Sequence, residues 1–390
     1  MKRAYLDNAA TTPVRNEVIK IMVNILKYSF GNPSSVQHSY GRAARSIIEE
    51  SRICIAKNIT ASPSEIIFTS GGTEANNLVL RSSIFDLGVK HILTSQLEHP
   101  SVLQTVLNLS YKHKVSVSFI QIQEKGVLNL NHMEDILRKN SDKKTLVSLM
   151  YANNEIGNLL ELDKVIFLCK KYNAYFHSDT IQIIGNFPID MEKLSFDFAT
   201  ASAHKFYGPK GIGFVFIRKH ILKKIKHFIT GGFQEYGIRS GTENTHGIAG
   251  LSEALQLSCC NFSRHIKKIK HLKFYCISEL KKIIPNIIFN GLSYDADQSI
   301  PSILNFLYPT KKINHLLYFH LDLMGVAVSK GNSCNHDAKK VSHVIQAITN
   351  MNLLNKMMPI RISFGIFNEK KDIDLLIEAL QKIQKQKNLS

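Results

Sequence analysis

The chain has 390 residues, 44% hydrophobic and 21% charged, a balance that excludes a disordered or fibrous protein and predicts two domains with ample apolar core. Lys and Arg number 49 against 31 Asp and Glu, a formal net charge of +18. That excess raises nucleic-acid binding as a reading, but the cations are spread along the chain without a nucleic-acid motif or interleaved aromatics, so solvated helical faces are the expectation. The six cysteines, Cys54, Cys169, Cys259, Cys260, Cys276 and Cys334, form no CxxC pair, which excludes structural zinc and a secreted disulfide framework and predicts a cytoplasmic setting. MKRAYLDNAATTP is too polar for a signal peptide, and no window approaches the roughly 18 apolar residues of a membrane span.

In chain order, short apolar runs alternate with helical patterns: 66–70, 91–95, 115–122, 145–152, 175–179, 196–202 and 211–217. This alternation predicts an α/β fold with a mainly parallel, doubly covered sheet and ligands at the strands' carboxyl ends. Beyond about residue 260 come a basic amphipathic helix (262–284), strands near 302–308 and 326–330, and a closing helix at 370–385, a smaller α+β domain.

Three places carry chemistry. In 69-TSGGTEANN-77 a strand ends in two glycines and Thr73 opens a helix, which makes either a phosphate cup or an ordinary turn capped by Thr73. In 175-YFHSDTIQ-182, Asp179 sits at the end of an apolar strand, where it either caps a helix or meets a cation such as a protonated pyridine nitrogen, with Gln182 in reach of a ring substituent. In 201-ASAHKFYGPKGIG-213, Lys205 follows small residues that leave room for a bulky adduct, although in so basic a chain a surface lysine is the ordinary alternative. Together, a phosphate cup, an acid and a lysine are the three fixtures that pyridoxal phosphate requires.

The segments 5-YLDNAATTP-13, 31-GNPSS-35, 69-TSGGTEANN-77, 97-LEHPSV-102, 153-NNEIGN-158, 175-YFHSDTIQ-182, 202-SAHKFYGPKGIG-213, 231-GGFQEYGIRSGTEN-244 and 360-IRISFG-365 resemble, in order, those of the cysteine desulfurases of the iron–sulfur-cluster-assembly type. The resemblance implies a fold-type I, class V aminotransferase-like homodimer. Its large domain (15–260) would hold a mainly parallel seven-stranded sheet, and its small domain (1–14 and 261–390) the cysteine loop. It implies pyridoxal 5'-phosphate as cofactor and L-cysteine as substrate. Alanine would be released, and the sulfur passed as a persulfide to an acceptor such as an iron–sulfur scaffold, with tRNA thiolation as a further use.

Carried over by resemblance, Lys205 would hold the coenzyme and shuttle protons, Asp179 would pair with the pyridinium, and Gln182 with the ring hydroxyl. His99 would stack on the ring and help move protons. Gly72, Thr73, Ser202 and His204 would bind the phosphate, joined by Thr242 of the other subunit. Asn154 and Arg361 would orient the substrate, Arg361 through its carboxylate. Cys334, among small and polar neighbours in 325-GVAVSKGNSCNHD-337, would be the nucleophile, while the other five thiols are expected to be buried and inert. Whether Cys334 also ligates an iron–sulfur cluster in passing stays open. The sequence departs from the family at Lys330–Asn335, at Ile366 where many relatives carry arginine, and in a tail that is short beside theirs; the choice of acceptor is where these would tell. An aminotransferase or selenocysteine lyase, and a degenerate binding protein, are the rival readings.

Overall fold

The structure is a computed structural model that describes residues 3–310, 316–331 and 341–388. Its twelve strands are β1 (Ala4–Tyr5), β2 (Ile66–Thr69), β3 (His91–Thr94), β4 (Ser116–Phe119), β5 (Thr145–Ser148), β6 (Tyr175–Asp179), β7 (Phe198–Ser202), β8 (Gly213–Ile217), β9 (Ile288–Phe289), β10 (Ile303–Pro309), β11 (Val326–Ala327) and β12 (Met357–Ser363). Seven of them form the central sheet in the order β2-β8-β7-β6-β5-β3-β4. Pairing is parallel from β4 to β7, and β8 runs antiparallel between β7 and β2. All seven sequence-predicted runs are strands of this sheet, and the mainly parallel α/β architecture is the observed one.

The reason is legible in burial. Every residue of β2, β3, β5, β7 and β8 is buried, as a sheet covered by helices on both faces demands. One apolar cluster packs helix Ser39–Asn58 and helix Thr245–Cys259 on one face (Ile48, Ile55, Leu251, Leu255), and another packs helix Gly72–Phe85 and helix Pro100–His113 on the other (Leu78, Val79, Val102, Val106).

The carboxyl-terminal part has its own core. Helix Phe262–Ile283 and helix Lys370–Asn388 lie on an antiparallel sheet of order β12-β10-β9, and the same cluster takes in Ala4 and Leu6. The strand expected at 326–330 is only two residues long, pairing in parallel with β1. Residues 7–12 then run as a strap between the two cores. Asn8 N–H and amide bond to Ser363 O, and Thr12 bonds His204 O and accepts from Tyr207 N–H. Among the described residues no helix is long and apolar enough to cross a membrane.

Candidate active site

A cavity of about 170 Å³ opens where the carboxyl ends of β2, β3, β5, β6 and β7 converge, and it is lined by Gly72, Thr73, His99, Asn154, Asp179, Gln182, Ser202, His204, Lys205 and Arg361. Ten sequence-predicted residues thus meet in one place. A neighbouring cavity of about 290 Å³, reached past Met150, is larger and mostly apolar, but it holds neither the lysine nor the glycine turn.

The glycine turn is built for close approach. Gly71, at φ +151°, caps helix Gly72–Phe85, so the cap is Gly71 and not Thr73, which lies one residue inside the helix. The second glycine is close-packed too: a Cβ on Gly72 would stand 2.1 Å from Ile181 Cδ1, so that any side chain there would require Ile181 to shift. The first-turn amides have no carbonyl one turn back to bond, and they carry the positive end of the helix dipole toward the cavity shared with Ser202 and His204. Burial, aided by Lys205 and Lys210, pushes His204 down to about 4, so it is neutral and its Nδ1 sits 3.2 Å from the Thr11 hydroxyl.

Asp179, 5% exposed, ends β6. Its Oδ2 accepts from Asn76 Nδ2 at 2.9 Å and its Oδ1 from Ile181 N–H at 3.1 Å. Both donors are neutral, and among the described residues no cation ion-pairs with it. A buried carboxylate so placed is a ready partner for a cationic ring nitrogen. His99 caps helix Pro100–His113 through its Nδ1. Burial holds its pKa below the ordinary value, opposed by Asp179 and reinforced by Lys205 and His343. Beside it Glu98 is buried, and burial pushes it well above the ordinary carboxylate range; its Oε1 accepts from Met150 N–H.

The strap supplies what the sequence reading left unassigned. Lys205 Nζ donates to Ala9 O at 2.7 Å and Ala10 O at 2.8 Å, and Gln182 Nε2 donates to the same Ala9 O. Arg361, in the middle of β12 and 1% exposed, gives Nη1 to the carbonyls of Asn154 and Gly331 and Nη2 to Asp7 Oδ1 at 2.7 Å, while its buried Nε has no partner among the described residues. An orphaned donor beside a carboxylate-bound one leaves a two-pronged edge suited to a second carboxylate. Asp7 had a signal, its place in 5-YLDNAATTP-13, but nothing local ties that segment to an arginine so far along the chain.

Two expectations land elsewhere. Thr242 lines a separate depression with Ser70, Arg239 and Glu243. Cys334 lies outside the described residues. Of the other thiols, Cys169 and Cys276 are buried, and burial pushes both well above the ordinary thiol range, in the sense of the expected inertness, but Cys260, just past helix Thr245–Cys259, is exposed and Cys54 and Cys259 are only half-buried.

The class-V aminotransferase family model matches residues 4–376. A cysteine desulfurase IscS of Dictyoglomus turgidum is 39% identical over 98% of this chain and 95% of its own length, and a putative cysteine desulfurase IscS 1 of Bacillus subtilis 37% identical over 96% of each. Among solved structures, a NifS-like protein superposes with a TM-score of 0.87 at 32% identity, covering 99% of this chain and all of that one. A structure of SspA in complex with cysteine follows at 0.77 and 28%, over 94% of this chain and all of the other. The chain belongs to the class-V aminotransferase family and, within it, to the cysteine desulfurases.

Proposed function

We propose that this chain uses pyridoxal phosphate to convert L-cysteine to L-alanine, with the sulfur kept as a persulfide on Cys334. The observation that carries the reading is the cavity in which a buried carboxylate with no ion-pairing cation among the described residues, a helix amino terminus and a lysine amine meet. These are the complements of a pyridinium, a phosphate and an aldehyde, so the residues fit the coenzyme. When bound, it supplies an electron sink that makes the bonds at the substrate's α-carbon labile.

The protein's own part follows from its residues. Thr73, Ser202, His204 and the first-turn amides bind phosphate; Gln182 reaches the ring hydroxyl; Asp179 keeps the ring nitrogen cationic. His99 covers the ring as a neutral imidazole. Lys205 Nζ leaves the carbonyls of Ala9 and Ala10 to bind the coenzyme and then carries the α-proton. Asn154 and Arg361 orient the amino acid, the arginine taking its carboxylate on the Nε–Nη2 edge and sharing Nη2 with Asp7. Cys334, as thiolate because the thiol itself is a poor nucleophile, attacks the substrate sulfur; the persulfide S–S bond forms as the substrate's Cβ–S bond breaks, and the electron pair left on the carbon skeleton takes up a proton to give alanine's methyl group.

A homodimer completes this reading. Tyr28, Phe30, Val36, Tyr40 and Phe233 are all more than half exposed, Phe30 stacks on Tyr40, and the Phe233 segment reaches the loop before helix Ser39–Asn58 through Gln234 Nε2 and Ser34 Oγ. This apolar face adjoins Thr242, which a second copy would carry to the partner's phosphate site. The physiological setting we propose is the cytoplasm, with an iron–sulfur scaffold or a related acceptor taking the sulfur.

The test is turnover of L-cysteine by the purified protein. Native protein is expected to release alanine and, with a thiol reductant, sulfide, and Cys334→Ala to abolish both while binding coenzyme as before. If Cys334→Ala keeps the native rate, the persulfide mechanism is wrong.

A further inference from the structure

We propose that Asn76 is a positioning residue that sets both protein groups flanking the coenzyme ring, Asp179 and His99; the inference rests on the coenzyme reading above. Asn76 lies on helix Gly72–Phe85, one turn beyond the glycine cap, and is 0% exposed. Its Nδ2 divides its two hydrogens, one to Asp179 Oδ2 at 2.9 Å and one to Ser101 Oγ at 2.8 Å. Its Oδ1 accepts from the Thr200 hydroxyl at 2.9 Å. All of the amide's main bonding directions are therefore used. Its orientation is fixed as well, since an ionised carboxylate can only accept and therefore demands the NH2 side.

The chain continues to the histidine. Ser101 N–H donates to His99 Nδ1 at 3.1 Å, so that nitrogen bears the lone pair, and the Ser101 hydroxyl at 2.8 Å shares it. Because Ser101 Oγ gives its hydrogen to His99, it takes one from Asn76. The result is one directed sequence, Thr200 to Asn76 to both Asp179 and Ser101, and from Ser101 to His99. It holds the imidazole neutral with its hydrogen on Nε2. It also orients Asp179 through a neutral donor, which fixes the acid's position without ion-pairing with it and leaves it available to a ring cation. An amide is suited to this post: leucine would leave Asp179 Oδ2 and Ser101 unpaired, and lysine would neutralise the acid.

The experiment measures coenzyme binding rather than activity. Apoprotein is titrated with pyridoxal phosphate by visible absorbance for native protein, Asn76→Ala, Asn76→Asp and Thr200→Val. Loss of a hydrogen bond to a buried charge predicts a dissociation constant about 10- to 100-fold higher in Asn76→Ala. Thr200→Val, which frees the amide to turn, is expected to give the same change of spectrum with a weakening of about 2- to 10-fold. Asn76→Asp can donate only while protonated, so its affinity should fall as pH rises relative to native at each pH. The other titratable groups facing Asp179, His99 and Glu98, are common to both proteins and cancel in that ratio. A purely structural role for Asn76 would alter unfolding without moving that ratio. Native affinity and spectrum in Asn76→Ala would overturn the proposal; if that variant does not fold, an unchanged Thr200→Val together with a pH-independent Asn76→Asp ratio would do so. Native protein that takes no coenzyme would sink the proposed function instead, a separate and recognisable failure.

Discussion

The floor and the roof of the cavity are held by different physics. The floor is the Lys205 amine and a hydrogen-bonded net on strand and helix ends, Thr200, Asn76, Ser101 and Asp179, the net buried and carrying one formal charge. The roof, on the smaller core, hangs on Arg361, its side chain 1% exposed against Asp7 at 20%, and the same part of the chain holds a second buried cation, Lys273, 4% exposed. A neutral net can be complete before any ligand arrives and so presents a fixed seat. A buried cation already matched to a carboxylate must rearrange to take another, so the roof is where substrate choice carries a cost.

Removing the floor's amine should have the largest effect. Lys205→Ala is expected to lower turnover by roughly 10²–10⁴-fold from lost proton transfer alone. Borohydride reduction of coenzyme-loaded native protein should add mass to the peptide containing residue 205 and none to the variant. Mass gain at another lysine would move the seat elsewhere.

The roof answers to a milder change. Arg361→Lys keeps the charge but loses the planar fork, Nε above all, and should raise the KM for cysteine by about 10- to 100-fold with a much smaller change in kcat. An unchanged KM would mean that Asp7, Asn154 and Gly331 are Arg361's only business, and that the carboxylate is bound elsewhere.

The same contrast explains what could be read from the chain. Floor residues announce themselves because each is the local end of an element: two glycines after β2, an acid closing β6, a lysine just past β7. Strand ends are visible in apolar runs, and their convergence follows from parallel topology. Asn76 stood inside a quoted motif, yet helical periodicity cannot distinguish an amide that bridges two site residues from one that packs. The roof was half legible, Arg361 through family resemblance but not its partner. The Asp7 contact spans 354 positions, and no periodicity carries information over that distance. Thr242 could be assigned only by supposing a second subunit, and a single chain leaves it in its own depression.

The smallest expected effect concerns stability and isolates the roof's charge from its chemistry. Lys273, on helix Phe262–Ile283, donates to Ser299 Oγ at 3.0 Å and Ile300 O at 2.9 Å, neutral acceptors both. Burial pushes it down to about 7 from an ordinary 10.5, with Asp295 opposing and Lys270 reinforcing. Between those two values the unfolded chain binds the proton more tightly than the folded one, so folding stability contributed by this group rises with pH from about 7 to about 10.5, and the burial penalty is fully present below about 7. Lys273→Met, which fills similar space without charge, is therefore expected to stabilise the protein by about 1–3 kcal/mol at pH 6. That gain should shrink toward zero by roughly pH 10 as the native lysine loses its proton in both states. Urea unfolding of the two proteins at pH 6 and pH 9.5 measures the difference directly. Parallel curves at both pH values would show that Ser299 and Ile300 solvate the ammonium as well as water does. In that case the roof's cations are no costlier than the floor's net, and the contrast between the two walls reduces to geometry.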